Sequence, residues 1–313
     1  MGMRNLTQYA KYVWLAIPLF GLGELAANLY FSKRFPEVDE WHALRVEVVA
    51  LKQERDLVVI APEWAEPLAR NAFGDALMPV GDVARPDESN YARAIEVSAL
   101  SDVNPLVEKW PVVAEKRLGK FTLRTRKNPA YAPASFVLTD HAEPPELSVS
   151  ERSASGETRL CHYGKRGPSS ASGLLAPPGF PRLRFSCDAS EANFVGTTII
   201  DDQNYRARRC LWANPAAGGV LTLNFGNVPM GAELYGYVGF SFFRFRDHGW
   251  PAVTLAFSVD GASLGSHSHL PESGWQPFRF STAQFRGAPH EVRVEITGTQ
   301  SRELELCFYA ATR

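Results

Sequence analysis

Residues 12–32 (YVWLAIPLFGLGELAANLYFS) form a 21-residue stretch with a single charged side chain, Glu24. A helix needs about 20 mostly apolar residues to cross the hydrocarbon core of a bilayer. Tyr12 and Tyr30 lie near the two ends of the stretch, where aromatic rings favour the headgroup region. The sequence therefore predicts a transmembrane signal-anchor, with residues 1–35 as cytoplasmic tail and anchor and with the membrane as a partner through residues 12–32.

Orientation and processing of this segment stay open. Two basic residues flank it on each side, so the positive-inside rule does not fix its direction. A cleaved signal peptide is the main alternative, because residues 13–23 have a suitable length, although no small-x-small cleavage motif follows. Glu24 is either hydrated near the outer interface or in contact with a helix of a membrane-protein partner.

The four cysteines, Cys161, Cys187, Cys210 and Cys307, all lie in the second half of the chain and form no C-x-x-C pair. An even set confined to one region is typical of disulfides made in an oxidising compartment. Together with the anchor, they predict that the bulk of the chain is extracytoplasmic, either periplasmic or at the cell surface. The alternative is a set of reduced, buried cysteines in a cytosolic protein.

The charge balance excludes one class of partner. The 313 residues include 33 basic and 34 acidic side chains, for a formal net charge of −1. A nucleic-acid-binding protein needs a basic face, so no nucleic-acid partner is expected. The 24 glycines, 22 prolines and 12% aromatic residues indicate turn-rich β structure.

The region after the anchor predicts a small α/β domain over residues 36–142. Helical spacing of apolar residues predicts a helix over residues 40–53, and an apolar run predicts a buried strand at 56–61. A short helix over 63–75 ends at Gly74, and further strands are expected at 94–98, 121–126 and 135–139. Helix, strand and helix in succession are typical of an α/β unit.

Residues 143–185 contain stretches rich in Pro, Ser and Gly, which predict a linker or surface-loop region. Cys161 lies within this region and Cys187 follows it. A Cys161–Cys187 bridge would close a loop that is otherwise costly to order. It is one of three possible ways to connect the cysteines in pairs.

The last part of the chain, residues 186–313, alternates between apolar and polar side chains. Leu221, Leu223 and Phe225 share one face of a predicted strand, and the runs at 253–259, 292–296 and 304–309 alternate in the same way. Short strands with one apolar face predict an antiparallel β-sandwich. The whole chain is therefore expected to be an α+β protein.

The order of CLWANP, VLTLNFGNVP, VTLAFSVDG, SGWQPFRFST, HEVRVEITG and LELCFYA resembles the galactose-binding-like jelly roll. That superfamily includes carbohydrate-binding modules and discoidin-type domains, so the resemblance implies a binding domain for glycans, lipids or proteins. No binding residue of the family maps onto this sequence. In such a fold the first and last strands are neighbours, and Cys307 points away from the core if Leu306 and Phe308 face it. The resemblance thus implies a Cys210–Cys307 bridge.

Motifs of catalysis are missing from the sequence. It contains no G-x-S-x-G, H-E-x-x-H, P-loop or dinucleotide-binding glycine pattern. No catalytic residue, cofactor or metal is therefore predicted. His267, His269 and His290 are interpreted as turn residues rather than a metal site, because no acidic ligand accompanies them.

Four residues are candidates for ligand contact. Trp250 and His248 lie in a polar, turn-like stretch suited to a binding loop. Asp201 and Asp202 can either ligate calcium in a jelly roll or cap a turn, and the turn is favoured. Trp275 is expected to be a structural plug of the core or sheet edge.

The sequence leaves three hypotheses about function. The first is a membrane-anchored extracytoplasmic protein with a carbohydrate-binding-like domain, acting in surface-glycan recognition or envelope assembly. The second is a non-catalytic structural subunit of a membrane complex that uses Glu24 to contact its partner. The third is a glycan-active enzyme or a glycosyltransferase accessory protein.

Overall fold

The computed structural model describes residues 6–165, 181–187, 193–242, 251–299 and 305–313, without the side chains of residues 6–15 and 31–32. The chain forms two compact units. Unit 1 contains the chain up to Pro79 together with Tyr91–Ala130, and unit 2 contains Val80–Asn90 together with Tyr131–Arg313.

The helices are α1 Leu6–Arg34, α2 Val38–Leu51, α3 Glu66–Phe73 and α4 Val80–Val83. The first nine strands are β1 Asp56–Ala61, β2 Arg93–Ala99, β3 Val112–Leu118, β4 Phe121–Lys127, β5 Phe136–Val137, β6 Leu147–Arg152, β7 Thr158–Leu160, β8 His162–Lys165 and β9 Leu183–Ser186. The remaining strands are β10 Phe194–Asp201, β11 Ala207–Ala213, β12 Val220–Pro229, β13 Glu233–Phe240, β14 Val253–Val259, β15 Ala262–His269, β16 Gln276–Ser281, β17 Pro289–Thr297 and β18 Leu306–Thr312.

The predicted anchor lies within α1, a continuous helix. Every side chain that is described between residues 16 and 30 is exposed, including those of Ile17, Leu19 and Phe20. Over the described part of the chain, no helix reaches both the length and the apolar character that crossing a membrane requires. The side chains of residues 12–15, 31 and 32, which complete the predicted segment, lie outside the described residues. The transmembrane prediction is therefore not confirmed.

Unit 1 is built on a four-stranded sheet in the order β1-β2-β4-β3. β1 and β2 are parallel, whereas β4 is antiparallel to both β2 and β3. The parallel pair is connected through α3, as the predicted α/β unit requires. β1 is buried on both faces, which explains why its sequence is a continuous apolar run.

The helix predicted over residues 40–53 is confirmed as α2. Trp41, Leu44 and Val48 are buried at helical spacing. The helix begins with a capping box, in which the backbone N–H of Glu37 donates to the Glu40 carboxylate at 2.7 Å. The short helix predicted to end at Gly74 is confirmed as α3, whose C-cap is Gly74.

Unit 2 is an antiparallel β-sandwich, as predicted. Strands β11 to β18 form a jelly roll: the order β11-β18-β13-β16 runs through one sheet and β12-β17-β14-β15 through the other. Leu221, Leu223 and Phe225 of β12 are buried between the sheets together with Leu306 and Phe308 of β18. The sandwich core therefore lies where the alternation placed it.

The observed units differ from the predicted boundaries. Within the stretch predicted as a linker, residues 147–152 form β6 and pair with β12, and β8 and β9 extend the other sheet. β6 alternates between buried and exposed side chains, so it has the pattern of a sandwich strand despite its Ser-rich surroundings. Phe136–Val137, predicted as a strand of the first domain, pairs with β18 in unit 2.

An 11-residue segment that lies between two parts of unit 1 in sequence, Val80–Asn90, belongs to unit 2. We call this segment the strap. The backbone N–H of Arg209 in β11 donates to the Ala84 carbonyl at 2.5 Å, and that of Ala132 donates to the Ser89 carbonyl at 2.9 Å. The strap is thus tied to the sandwich on both sides of Pro86.

Both predicted disulfides are confirmed, Cys161–Cys187 and Cys210–Cys307. Leu306 and Phe308 of β18 face the core between the sheets. Cys307 and Tyr309 instead belong to a second buried cluster with Cys210. The two faces of β18 therefore separate core residues from the disulfide, as the alternation predicted.

Candidate functional site

The turn between β10 and β11 is shaped by the carboxylate of Asp202. This carboxylate accepts the backbone N–H groups of Asn204 at 2.8 Å and Arg206 at 3.1 Å, and the Nε of Arg208 at 2.8 Å. The Asp202 side chain is 1% exposed. Its hydrogen-bonding capacity is directed into the protein, which matches the turn-capping interpretation rather than a ligand-contacting one. Asp201 ends β10 and is exposed.

This turn presents an exposed aromatic side chain, Tyr205, that the sequence pattern does not single out. Tyr205 has a backbone φ of 57° and is 71% exposed. A positive φ is uncommon for a non-glycine residue and is found preferentially at functional sites. The Tyr205 N–H donates to the Asp202 carbonyl at 2.9 Å, which holds the residue in this conformation. The turn composition between two strands was the available signal, but it does not show which way a ring points.

Tyr205 packs on the loop that follows β13. Its ring centroid lies 4.1 Å from that of Phe242, with the ring planes 38° apart. Residues 243–250 follow directly and carry His248 and Trp250, which lie outside the described residues. The structure therefore brings the hairpin of Asp201 and Asp202 to the start of the predicted binding loop.

A second contact fixes the hairpin from the side. The Gln203 Oε1 accepts the backbone N–H of Trp275 at 3.0 Å. Gly274 has a φ of +72°, and a Cβ on it would lie 2.1 Å from the Gln203 Nε2. Only glycine fits here without displacing Gln203. The hairpin is thus held at a defined distance from the β15–β16 connection.

Three other large aromatic side chains of unit 2, Trp275, Trp212 and Tyr235, are buried and structural. Trp275 is 9% exposed, and its Nε1 donates to the Pro86 carbonyl at 3.0 Å. It stacks on Tyr237 with 6.0 Å between ring centroids, under the strap. Trp212 and Tyr235 are buried at 1% and 2% exposure. The expectation that Trp275 is a plug therefore holds.

The three histidines lie on strands rather than in turns, so the turn interpretation is wrong, and they do not come together. The rings of His267 and His269 on β15 lie 5.9 Å apart, whereas His290 on β17 pairs with Asp260 at 2.6 Å. Burial lowers the pKa of His269 to about 4, and the neighbouring His267 contributes to this shift. Among the residues that the structure describes, no group of three His, Cys, Asp or Glu side chains is placed to hold a metal ion.

Comparison with known proteins gives matches only among solved structures. No family model matches the sequence, and no curated protein matches it. A structure of the CBM51-2 and INT domains of Clostridium perfringens ZmpB matches with 8% identity and a TM-score of 0.28, over 39% of this chain and 29% of that chain.

Two further structures match at the same level. The CBM51 of Clostridium perfringens GH95 in complex with methyl-galactose has 9% identity and a TM-score of 0.26, over 40% of this chain and 80% of that one. A structure from work on the promiscuous specificity of carbohydrate-binding modules of the β-sandwich superfamily has 10% identity and a TM-score of 0.29. The match covers 61% of this chain and 66% of that chain. Similarity this low assigns neither a family nor a ligand to the chain.

Proposed function

We propose that this chain is a membrane-anchored extracytoplasmic protein whose β-sandwich unit binds a carbohydrate, in surface-glycan recognition or envelope assembly. The proposed binding site consists of the tip of the β10–β11 hairpin and the loop that begins at Phe242. The exposed Tyr205 ring, packed on Phe242, is the observation that carries it.

The chemistry of this pair suits a sugar. The apolar C–H face of a pyranose ring packs against an aromatic face, and polar neighbours then accept and donate hydrogen bonds to its hydroxyls. Tyr205 offers both an aromatic surface and a hydroxyl. The hairpin is held by Asp202 and by Gln203, so little conformational entropy is lost when a ligand binds to it.

The extracytoplasmic assignment is supported by the disulfides. All four cysteines are bridged in pairs. Such bridges persist in oxidising compartments and are rare in the cytosol. The membrane part of the proposal is supported by the length and apolar composition of residues 12–32 and by the exposed apolar side chains of α1.

The binding proposal is tested with the full chain on a glycan array, followed by calorimetry on any glycan that binds. We expect Tyr205→Ala to weaken binding by about tenfold, which corresponds to the loss of one aromatic contact of about 1.4 kcal/mol. Trp250→Ala tests the adjoining loop in the same assay. Tyr131→Ala is the matched control, because Tyr131 is also an exposed tyrosine of unit 2.

Two results would count against this site. Equal affinity of the native protein and the Tyr205→Ala variant would move the carbohydrate site elsewhere. No binding of the native protein to any glycan would remove the ligand while leaving the fold unchanged.

A structural role in a membrane complex is the second candidate, and the exposure of Glu24 within α1 favours it. A carboxylate within an apolar helix is stabilised by a polar group of a neighbouring helix. Crosslinking in native membranes tests this role. A specific partner that is captured by the native protein and lost in Glu24→Leu would support it, and equal capture by both would contradict it.

A further inference from the structure

An aromatic pair lies where α1 ends, with Phe35 half-buried and Trp64 exposed. The helix ends at Arg34, and the ring centroid of the next residue, Phe35, lies 4.8 Å from that of Trp64. The Trp64 side chain is 63% exposed, which is unusual for the largest apolar side chain. Leu68, four residues further on in α3, is 41% exposed. We call Phe35, Trp64 and Leu68 the aromatic patch.

The last turn of α1 has the composition of a helix end at a lipid headgroup layer. Lys33 and Arg34 are exposed, and the Arg34 guanidinium lies 5.1 Å from the centre of the Tyr30 ring. Basic side chains and tyrosine at the end of an apolar helix are typical of the membrane interface. The aromatic patch begins one residue after this turn.

The patch is fixed relative to the helix end by unit 1 itself. The Lys120 Nζ donates to the Phe35 carbonyl at 3.2 Å and pairs with Glu40 at 2.9 Å. On its other side Phe35 contacts Trp41, which is 1% exposed and packs edge-on against Phe121. The short connection from α1 to α2 is therefore held by the folded unit.

We propose that the aromatic patch lies in the headgroup layer of the bilayer that α1 enters, so that unit 1 contacts the membrane surface directly. This inference rests on the membrane attachment in the proposed function. Tryptophan is enriched in the interface, because its ring is apolar while its N–H remains in contact with polar groups. Glu63 and Glu66 flank Trp64, so the contact depends on apolar burial and does not require anionic lipid.

The test uses the full chain in phosphatidylcholine vesicles. All four native cysteines are in disulfides, so Trp64→Cys introduces one thiol for an environment-sensitive fluorophore. We expect a blue-shifted emission that is quenched by lipids spin-labelled near the headgroup and protected from aqueous iodide.

Val113→Cys is the matched control. Val113 is 57% exposed and lies in the same unit. It is at the opposite end of β3 from the β3–β4 turn, where Lys120 contacts Phe35. A fluorophore at position 113 is expected to be quenched by iodide and unaffected by the spin-labelled lipids.

Carbonate extraction separates the two ways in which the inference can fail. If the native chain stays with the vesicles while position 64 responds like position 113, the patch does not contact lipid and membrane attachment stands. If the native chain is extracted, membrane attachment fails and the inference fails with it.

Discussion

Asp202 shows how one buried carboxylate shapes the candidate binding surface. It holds two backbone N–H groups of the turn and the guanidinium of Arg208, which in turn donates to the carbonyls of Arg85 and Pro86 at 3.0 Å. The Arg208 side chain is 12% exposed. Losing the carboxylate would leave a largely buried cation without its partner, which is more costly than losing the attraction alone.

We expect Asp202→Ala to lower the free energy of unfolding of unit 2 by about 3 kcal/mol. The neighbouring Asp201→Ala removes the same chemical group from an exposed position and is expected to change it by less than about 0.5 kcal/mol. Urea denaturation of the two variants and the native protein measures the difference. Equal losses in both variants would show that Asp202 does not hold the turn.

His269 makes the stability of unit 2 depend on pH. It is 1% exposed, stacks on Phe240 at 5.3 Å, and its Nε2 has no hydrogen-bond partner in the described structure. Its pKa is lowered from 6.5 to about 4, so the unfolded chain binds this proton more readily than the folded chain. The stability that unit 2 gains from keeping His269 neutral is therefore fully present above pH 6.5. It is lost as the pH falls from 6.5 towards 4.

At pH 5 we expect unit 2 to be about 2 kcal/mol less stable than at pH 8 because of this group. His269→Leu removes the titrating group and is expected to remove most of this difference. His162→Leu, at an exposed position of the same unit, is expected to keep it. Urea denaturation at the two pH values is the measurement, and an unchanged pH dependence in His269→Leu would contradict the assignment.

At the scale of elements, the sequence predicts the strands that have one buried face. β12, β14 and β17 alternate between buried and less buried side chains, and the alternation in sequence located all three. β3 was missed because it is exposed along nearly its whole length, so its apolar and charged residues follow no period of two. β6 has the period, but the Pro and Ser residues around it indicate a loop.

The two disulfides stabilise elements at different separations in sequence. Cys210–Cys307 connects β11 to β18 across 97 residues, whereas Cys161–Cys187 spans 26. A crosslink that closes a longer loop removes more conformational entropy from the unfolded chain. We expect Cys210→Ala/Cys307→Ala to cost about 5 kcal/mol and Cys161→Ala/Cys187→Ala about 3.5 kcal/mol. Denaturant unfolding of both double variants checks the order, and a larger loss in the second would contradict the entropic account.

The whole molecule shows why the candidate site was only partly predictable from the sequence. The loop with His248 and Trp250 and the acidic turn of Asp201 and Asp202 were both selected from their residue types. The turn meets the start of this loop through the contact between Tyr205 and Phe242. These residues are distant in sequence, so no local sequence pattern predicts the contact. The division into units was not predictable for the same reason. The chain leaves unit 1 at Val80, contributes the strap to unit 2, and returns to unit 1 at Tyr91.

The strap makes a residue from the N-terminal half of the chain part of the C-terminal sandwich. The Tyr237 hydroxyl donates to the Asp87 carboxylate at 2.8 Å. Burial raises the pKa of Tyr237, and the charge of Asp87 raises it further, so the hydroxyl keeps its proton and remains a donor. A hydrogen bond to a charged group is worth about 1.5–3 kcal/mol. Asp87→Ala is therefore expected to loosen the sandwich, although Asp87 lies between two segments of unit 1 in sequence.

Hydrogen–deuterium exchange of the full chain tests this expectation. In Asp87→Ala, backbone amides of β13 and β18 should exchange faster, while those of β1 and β2 should be unchanged. Tyr237→Phe removes the other half of the hydrogen bond and should give the same pattern. Asp75→Ala is the control, because Asp75 is an exposed aspartate of unit 1 and lies only 12 residues before Asp87. Faster exchange in β1 and β2, with β13 and β18 unchanged, would place the strap in unit 1.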